Sequence, residues 1–178
     1  DCGISYSEVA PNSFSFNSPY GSCKDCEGLG EKKELDINLI IPDYNKTINE
    51  EGLAPLGKPR KIWFFNQLEA VAEKYNFDFD TPIKKLKPEQ IEIILNGTKE
   101  RISFTYSYSN GKPVQYMHRF SGIIKYLKHY YDSTSSNNVR EWVESFMNTA
   151  KCSACDGGRL RKESLAVKFN AKNISEVT

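Results

Sequence analysis

The sequence predicts an α+β protein, with an inserted domain of about four helices plus a β-hairpin grown from a small β-rich base. Three observations predict it. Two short cysteine stretches, CKDCEGLG at 23–30 and CSACDGGR at 152–159, repeat one pattern although 125 residues separate Cys26 from Cys152. Between them, apolar residues recur at helical spacing in several runs. Over 101–120 they alternate instead, on either side of an Asn110-Gly111 turn signal.

The elements follow in chain order. Residues 61–77, KIWFFNQLEAVAEKYNF, place Phe64, Leu68, Val71, Ala72 and Tyr75 on one helical face. Residues 80–97 carry two helix starts, Pro82 after Thr81 and then Pro88, and the second helix stops at Gly97. In the hairpin Ile102, Phe104 and Tyr106 alternate on one arm, and Val114, Tyr116 and His118 on the other. FSGIIKYLKHYY, 120–131, reads as helix. Ser135, Ser136 and Asn137 then offer caps to a further helix with Val139, Trp142, Val143, Phe146 and Met147 along one face. The tail at 164–177 reads as two short strands around NAKN. The expected organisation is a base formed by 1–30 and 151–178, with an insertion domain over 31–150. The aromatics at helical spacing are expected in a core rather than stacked on a ligand.

The cysteines carry the chemistry. Each stretch reads C-x-x-C, then an acid, then Gly. A C-x-x-C turn brings two thiolates together, and zinc takes four in a tetrahedron. Glycine after the second Cys lets backbone N–H groups turn toward sulfur. Cys23, Cys26, Cys152 and Cys155 are therefore the expected ligands of one structural zinc site. Two separate redox dithiols and free structural thiols are the alternatives. Four thiolates leave no open position for water, so the metal is expected to be structural. Zinc needs geometry rather than chain proximity, and a folded insert with its two ends close together supplies that. Cys2, in DCG, reads as the tail of a further C-x-x-C-G whose first Cys precedes Asp1. Five cysteines, four of them in pairs of this kind, make a poor disulfide framework and point to a reducing, cytoplasmic setting.

Net charge is only +1, so any affinity for polyanions has to be local. Residues 112–140 hold Lys112, Arg119, Lys125, Lys128 and Arg140 against Asp132 alone. Arg159, Arg161 and Lys162 follow the second cysteine pair, where a zinc knuckle would hold them. Such cations neutralise phosphates without reading bases. Lys112, Arg119, Lys125, Lys128, Arg159, Arg161 and Lys162 are the candidate DNA contacts. The sequence contains no phosphate-binding loop, nucleophile elbow or H-E-x-x-H motif. His118 and His129 read as surface or internally satisfied residues. No apolar run reaches about 18 residues, so no membrane span is expected. The start at Asp1 without Met, and the end within NISEVT, read as a piece of a longer protein.

FSFNSPYGSCKDCEGLG at 14–30, KCSACDGGRLRKESLAV at 151–167 and KNISEVT at 172–178 together resemble the UvrA family, the damage-sensing component of the bacterial UvrABC excinuclease. The resemblance covers the whole chain and is most specific at its two ends. It implies a fragment of an ABC-type damage-recognition ATPase of nucleotide excision repair, with an insertion domain growing out of a zinc module. It implies zinc on the same four cysteines and damaged double-stranded DNA as partner. It further implies that the parent protein dimerises, binds ATP and Mg²⁺ and loads UvrB, the helicase component of the excinuclease. All of these run through regions outside these residues, in the bacterial cytoplasm. The fragment itself is expected to have no catalytic activity. C-x-x-C-x-G-x-G at 23–30 also resembles the cysteine-rich repeats of J-domain co-chaperones, which leaves a zinc-stabilised protein-interaction module as the alternative. A thiol–disulfide enzyme is the third reading.

Overall fold

The computed structural model describes residues 10–107 and 113–177; the Asn110-Gly111 turn, Lys112 and Cys2 lie outside them. In chain order the regular elements are β1 (Glu31–Leu35), α1 (Ile37–Ile40), α2 (Trp63–Tyr75), α3 (Pro88–Asn96), β2 (Ile102–Ser107), β3 (Pro113–His118), α4 (Gly122–Ser133), α5 (Asn137–Glu144), β4 (Met147–Lys151), α6 (Lys162–Ala166), β5 (Lys168–Phe169) and β6 (Lys172–Asn173). The fold is α+β, as the sequence predicts. The strands pair as β1 with β4, β2 with β3 and β5 with β6. Two compact units result, one from the chain up to Glu34 and from Asn148 on, the other Leu35–Met147.

The second unit holds the apolar core. α2 buries Phe64, Leu68, Val71 and Ala72 along the expected face, with Tyr75 half-buried at its end. The helix stops at Asn76, whose left-handed backbone (φ 55°) closes its last turn. Gln90 of α3 ties the two helices: its amide donates to the Tyr75 carbonyl at 2.9 Å and to that of Asn76 at 3.2 Å, and its Oε1 accepts from Lys87 N–H. α3 begins at Pro88 and ends at Gly97, both as the sequence indicates. β2 and β3 are antiparallel, with Phe104 opposite Tyr116 and Ile102 opposite His118. Thr98 links the end of α3 to the start of α4, exchanging hydrogen bonds with the Phe120 backbone. Ile123 and Leu127 of α4 and Val143 of α5 are fully buried. The unit's two ends lie side by side, with Asp36 N–H donating to the Phe146 carbonyl at 2.9 Å.

Three elements differ from expectation. The start at Pro82 opens only a short 3-10 turn, Ile83–Lys85. α5 stops at Glu144, so Phe146 and Met147 are not helical and Met147 opens β4. Both still pack half-buried on the core, which is why their spacing imitates one more helical turn. Trp142 is 37% exposed, lying edge-on to Tyr130 and Phe146. In the tail, 162–166 forms α6 before the expected strands begin. β5 and β6 then turn at Asn170 and Ala171, both at positive φ as a two-residue type I′ turn requires.

Candidate metal centre and charged surfaces

The first unit is built around the four cysteines. Cys23, Cys26, Cys152 and Cys155 are each at most 5% exposed, and their sulfurs all lie within 4.8 Å of one another. Cys26 Sγ and Cys155 Sγ are 3.7 Å apart. A tetrahedral site with metal–sulfur bonds of about 2.3 Å has edges of about 3.8 Å, so the set can hold a metal ion with little movement. The two halves are locked by backbone: Cys152 N–H donates to the Gly30 carbonyl, Cys23 N–H to the Arg159 carbonyl, and Ser22 bridges Leu160.

Both knuckles repeat one conformation. After Cys26, Glu27 and Gly28 have φ of 51° and 84°; after Cys155, Asp156 and Gly157 have φ of 51° and 78°. The turn delivers a backbone donor onto each second sulfur: Gly30 N–H to Cys26 Sγ at 3.2 Å, and Arg159 N–H to Cys155. At this point the halves diverge. Gly30 (φ 82°) occupies a left-handed position that an added Cβ would bring within 2.9 Å of the Gly157 carbonyl oxygen. The matching position is Arg159, at φ 61°.

The thiols cannot all be anionic without a cation among them. Burial pushes the Cys152 thiol up, but N–H groups of Cys155 and Ala154, with the thiols of Cys155 and Cys26, outweigh it and hold Cys152 down at about 7. Burial pushes Cys155 up to about 12; the neighbouring sulfurs add to the rise and the Arg159 N–H opposes it. A bound dication would resolve the conflict by stabilising all four thiolates. Lys32, ion-paired to Asp25 at 3.3 Å, stands near Cys152 and Cys23 and adds positive field.

The candidate cations fall into both units. In the first, Arg159 is exposed and lies over the Phe16 ring, 5.4 Å from its centroid, and Lys162 is exposed. Arg161 is different: its guanidinium donates to the Ser22 carbonyl at 3.3 Å and to that of Pro19, which ties down the chain before Cys23. In the second unit Arg119, Lys125 and Lys128 are exposed, and the two lysines share one side of α4 at i, i+3 spacing. Arg140 lies over the Tyr131 ring. Lys58, Arg60 and Lys61, just before α2, form a further exposed basic cluster. The run KPRK carries that signal in the sequence, beside the helical periodicity that starts there. His118 is satisfied: Nδ1–H donates to the Arg119 carbonyl and Nε2 meets the Gln67 amide at 2.5 Å. His129 is exposed beside Tyr130.

Residues 36–145 match the sequence profile of the UvrA DNA-binding domain. UvrABC system protein A of Oceanobacillus iheyensis is 42% identical over 178 residues, covering 99% of this chain and 19% of the relative. That of Methanothermobacter thermautotrophicus is 40% identical, covering 98% and 18%. The crystal structure of UvrA2 from Deinococcus radiodurans aligns with a TM-score of 0.69 and 27% identity over 92% of this chain and 21% of that one. The chain thus spans about a fifth of the length of these relatives. No helix among the described residues is long and apolar enough to cross a membrane.

Proposed function

The chain belongs to the UvrA family, and from that premise we propose that it is a zinc-anchored, DNA-contacting part of a nucleotide excision repair protein. One observation carries the reading: residues 36–145, nearly the whole of the second unit, match the UvrA DNA-binding domain. Zinc on Cys23, Cys26, Cys152 and Cys155 is supported by four buried sulfurs within 4.8 Å of one another, one pair at 3.7 Å, close to the edge of a tetrahedral thiolate site. With no ligand position left over, the metal fixes the base and does no chemistry. The base comprises the chain around both cysteine pairs, and the insertion domain grows between them.

Damaged duplex DNA is the proposed partner. Exposed Arg119, Lys125 and Lys128 in one unit, and Arg159 and Lys162 in the other, suit phosphate contacts, with Lys112 as a further candidate outside the described residues. Contacts to backbone and to deformable geometry tolerate many lesions, where base readout would not. Arg161 contributes less directly, because its guanidinium already serves the fold. Binding is the segment's own contribution. ATP and Mg²⁺ handling, dimerisation and engagement of UvrB are assigned to the remaining length of the parent, in the bacterial cytoplasm.

The test is duplex affinity of the zinc-loaded chain with Lys125→Glu, Lys128→Glu and Arg159→Glu. Each reversal is expected to weaken binding several-fold, and Lys125→Glu and Lys128→Glu to do so without lowering the melting temperature. Affinity indifferent to all three would remove the reading.

A further inference from the structure

The second unit carries an aromatic cavity that phosphate contacts leave unused. Trp63 opens α2 and is 53% exposed, while Phe64 and Phe65 behind it are buried. Its ring lies parallel to that of His118, at 4° and 5.8 Å between centroids. His118 is itself held by Gln67 and by Phe104, 4.4 Å away. The indole is therefore braced from one side by a fixed imidazole, and more than half of it stays open. A cavity of about 510 Å³ lies beside it, lined by Asn66, Phe104, Met117 and His118 among others. A second, of about 690 Å³, shares Trp63, Asn66 and Thr105 and is rimmed by Arg60 and Lys61 against the single carboxylate of Glu69.

A rigid flat apolar face, an amide and a hydroxyl at its edge, and two cations next to it match the parts of one nucleotide. We infer that this surface is a stacking site for an unpaired nucleobase of distorted DNA. Trp63 is the platform, Asn66 and Thr105 meet the base edge, and Arg60 and Lys61 hold the flanking phosphates. The inference rests on the DNA-binding reading and adds to it a source of preference. An intact duplex keeps its bases stacked, whereas a distorted one yields a base at lower cost. Charge complementarity favours nucleic acid over an apolar protein partner.

The experiment compares the zinc-loaded chain on two duplexes of equal length, one fully paired and one with an unpaired bulge. The bulged duplex is expected to bind more tightly. Trp63→Ala should cut that preference roughly tenfold, the scale of one base–aromatic stack, and leave affinity for the paired duplex unchanged. Trp63→Phe should keep most of the preference. In a Trp142→Phe background Trp63 is the one remaining tryptophan, and its emission should be quenched by the bulged duplex and not by the paired one. Unquenched emission, or a folded Trp63→Ala chain that keeps its preference, overturns the stacking site while duplex binding stands. Absence of salt-dependent binding to either duplex removes the DNA-binding reading and the stacking site with it.

Discussion

Arg159 is the residue at which the two halves of the four-cysteine cluster part company. Its counterpart Gly30 adopts the same left-handed backbone at no steric cost, whereas an arginine there carries strain of about 1 kcal/mol. The side chain projects over Phe16, and strain kept at a cation is consistent with the phosphate contact proposed for it. Arg159→Gly is therefore expected to melt higher than Arg159→Ala by about 1 kcal/mol of stability, with DNA affinity lowered equally in both. Thermal unfolding of the two zinc-loaded variants measures this. Protonation is the second residue-scale test. Metal binding must displace every proton still on sulfur, so affinity falls as pH falls. Below about 7 Cys152 also takes up a proton, and the slope should steepen there. Chelator competition across that range reads it. The four cysteines that cluster are legible from C-x-x-C spacing alone. The role of Arg161 is not, because its acceptors are carbonyls 139 residues and more away in the chain, and spacing does not encode a partner's identity.

At the scale of elements, the helices rest on a few polar ties between their ends. Gln90 is 7% exposed and serves three backbone groups at the junction of α2 and α3. Gln90→Ala should cost about 1–3 kcal/mol by leaving those groups without partners, measured as a shift of the denaturant midpoint. Gly122 opens α4 at φ 76°, and an added Cβ would sit 2.4 Å from the Leu95 carbonyl oxygen. Gly122→Ala should therefore destabilise by more than the roughly 1–2 kcal/mol of the left-handed conformation itself. Helical periodicity marks α2, α3 and α4 well because each buries one long face. It overshoots at α5, where Phe146 and Met147 reach the same core from outside the helix. Apolar spacing records burial and is silent about the hydrogen bonds that decide where a helix stops.

For the whole molecule, the division into a cysteine-centred unit and an apolar-core unit sets how it should come apart. The described core of the second unit contains no cysteine, and that of the first consists mainly of the four cysteines. Chelation is expected to unfold the first unit and leave the second with its own cooperative transition, seen as two steps in calorimetry where zinc shifts only one. The long gap between the cysteine pairs is what makes this organisation readable, since a pair of thiols needs its partners wherever the chain returns. Charge is less readable, because net charge near zero conceals local clusters such as Lys58, Arg60 and Lys61. The central claim is that this chain grips DNA through its backbone. The most direct measurement is the slope of log affinity against log salt concentration for duplex DNA, for the zinc-loaded chain and its Lys125→Glu/Lys128→Glu variant. A steep negative slope that becomes shallower by about 2 in the variant, about one unit per lost phosphate contact, is the predicted result; a flat slope, or one the variant leaves unchanged, would contradict it.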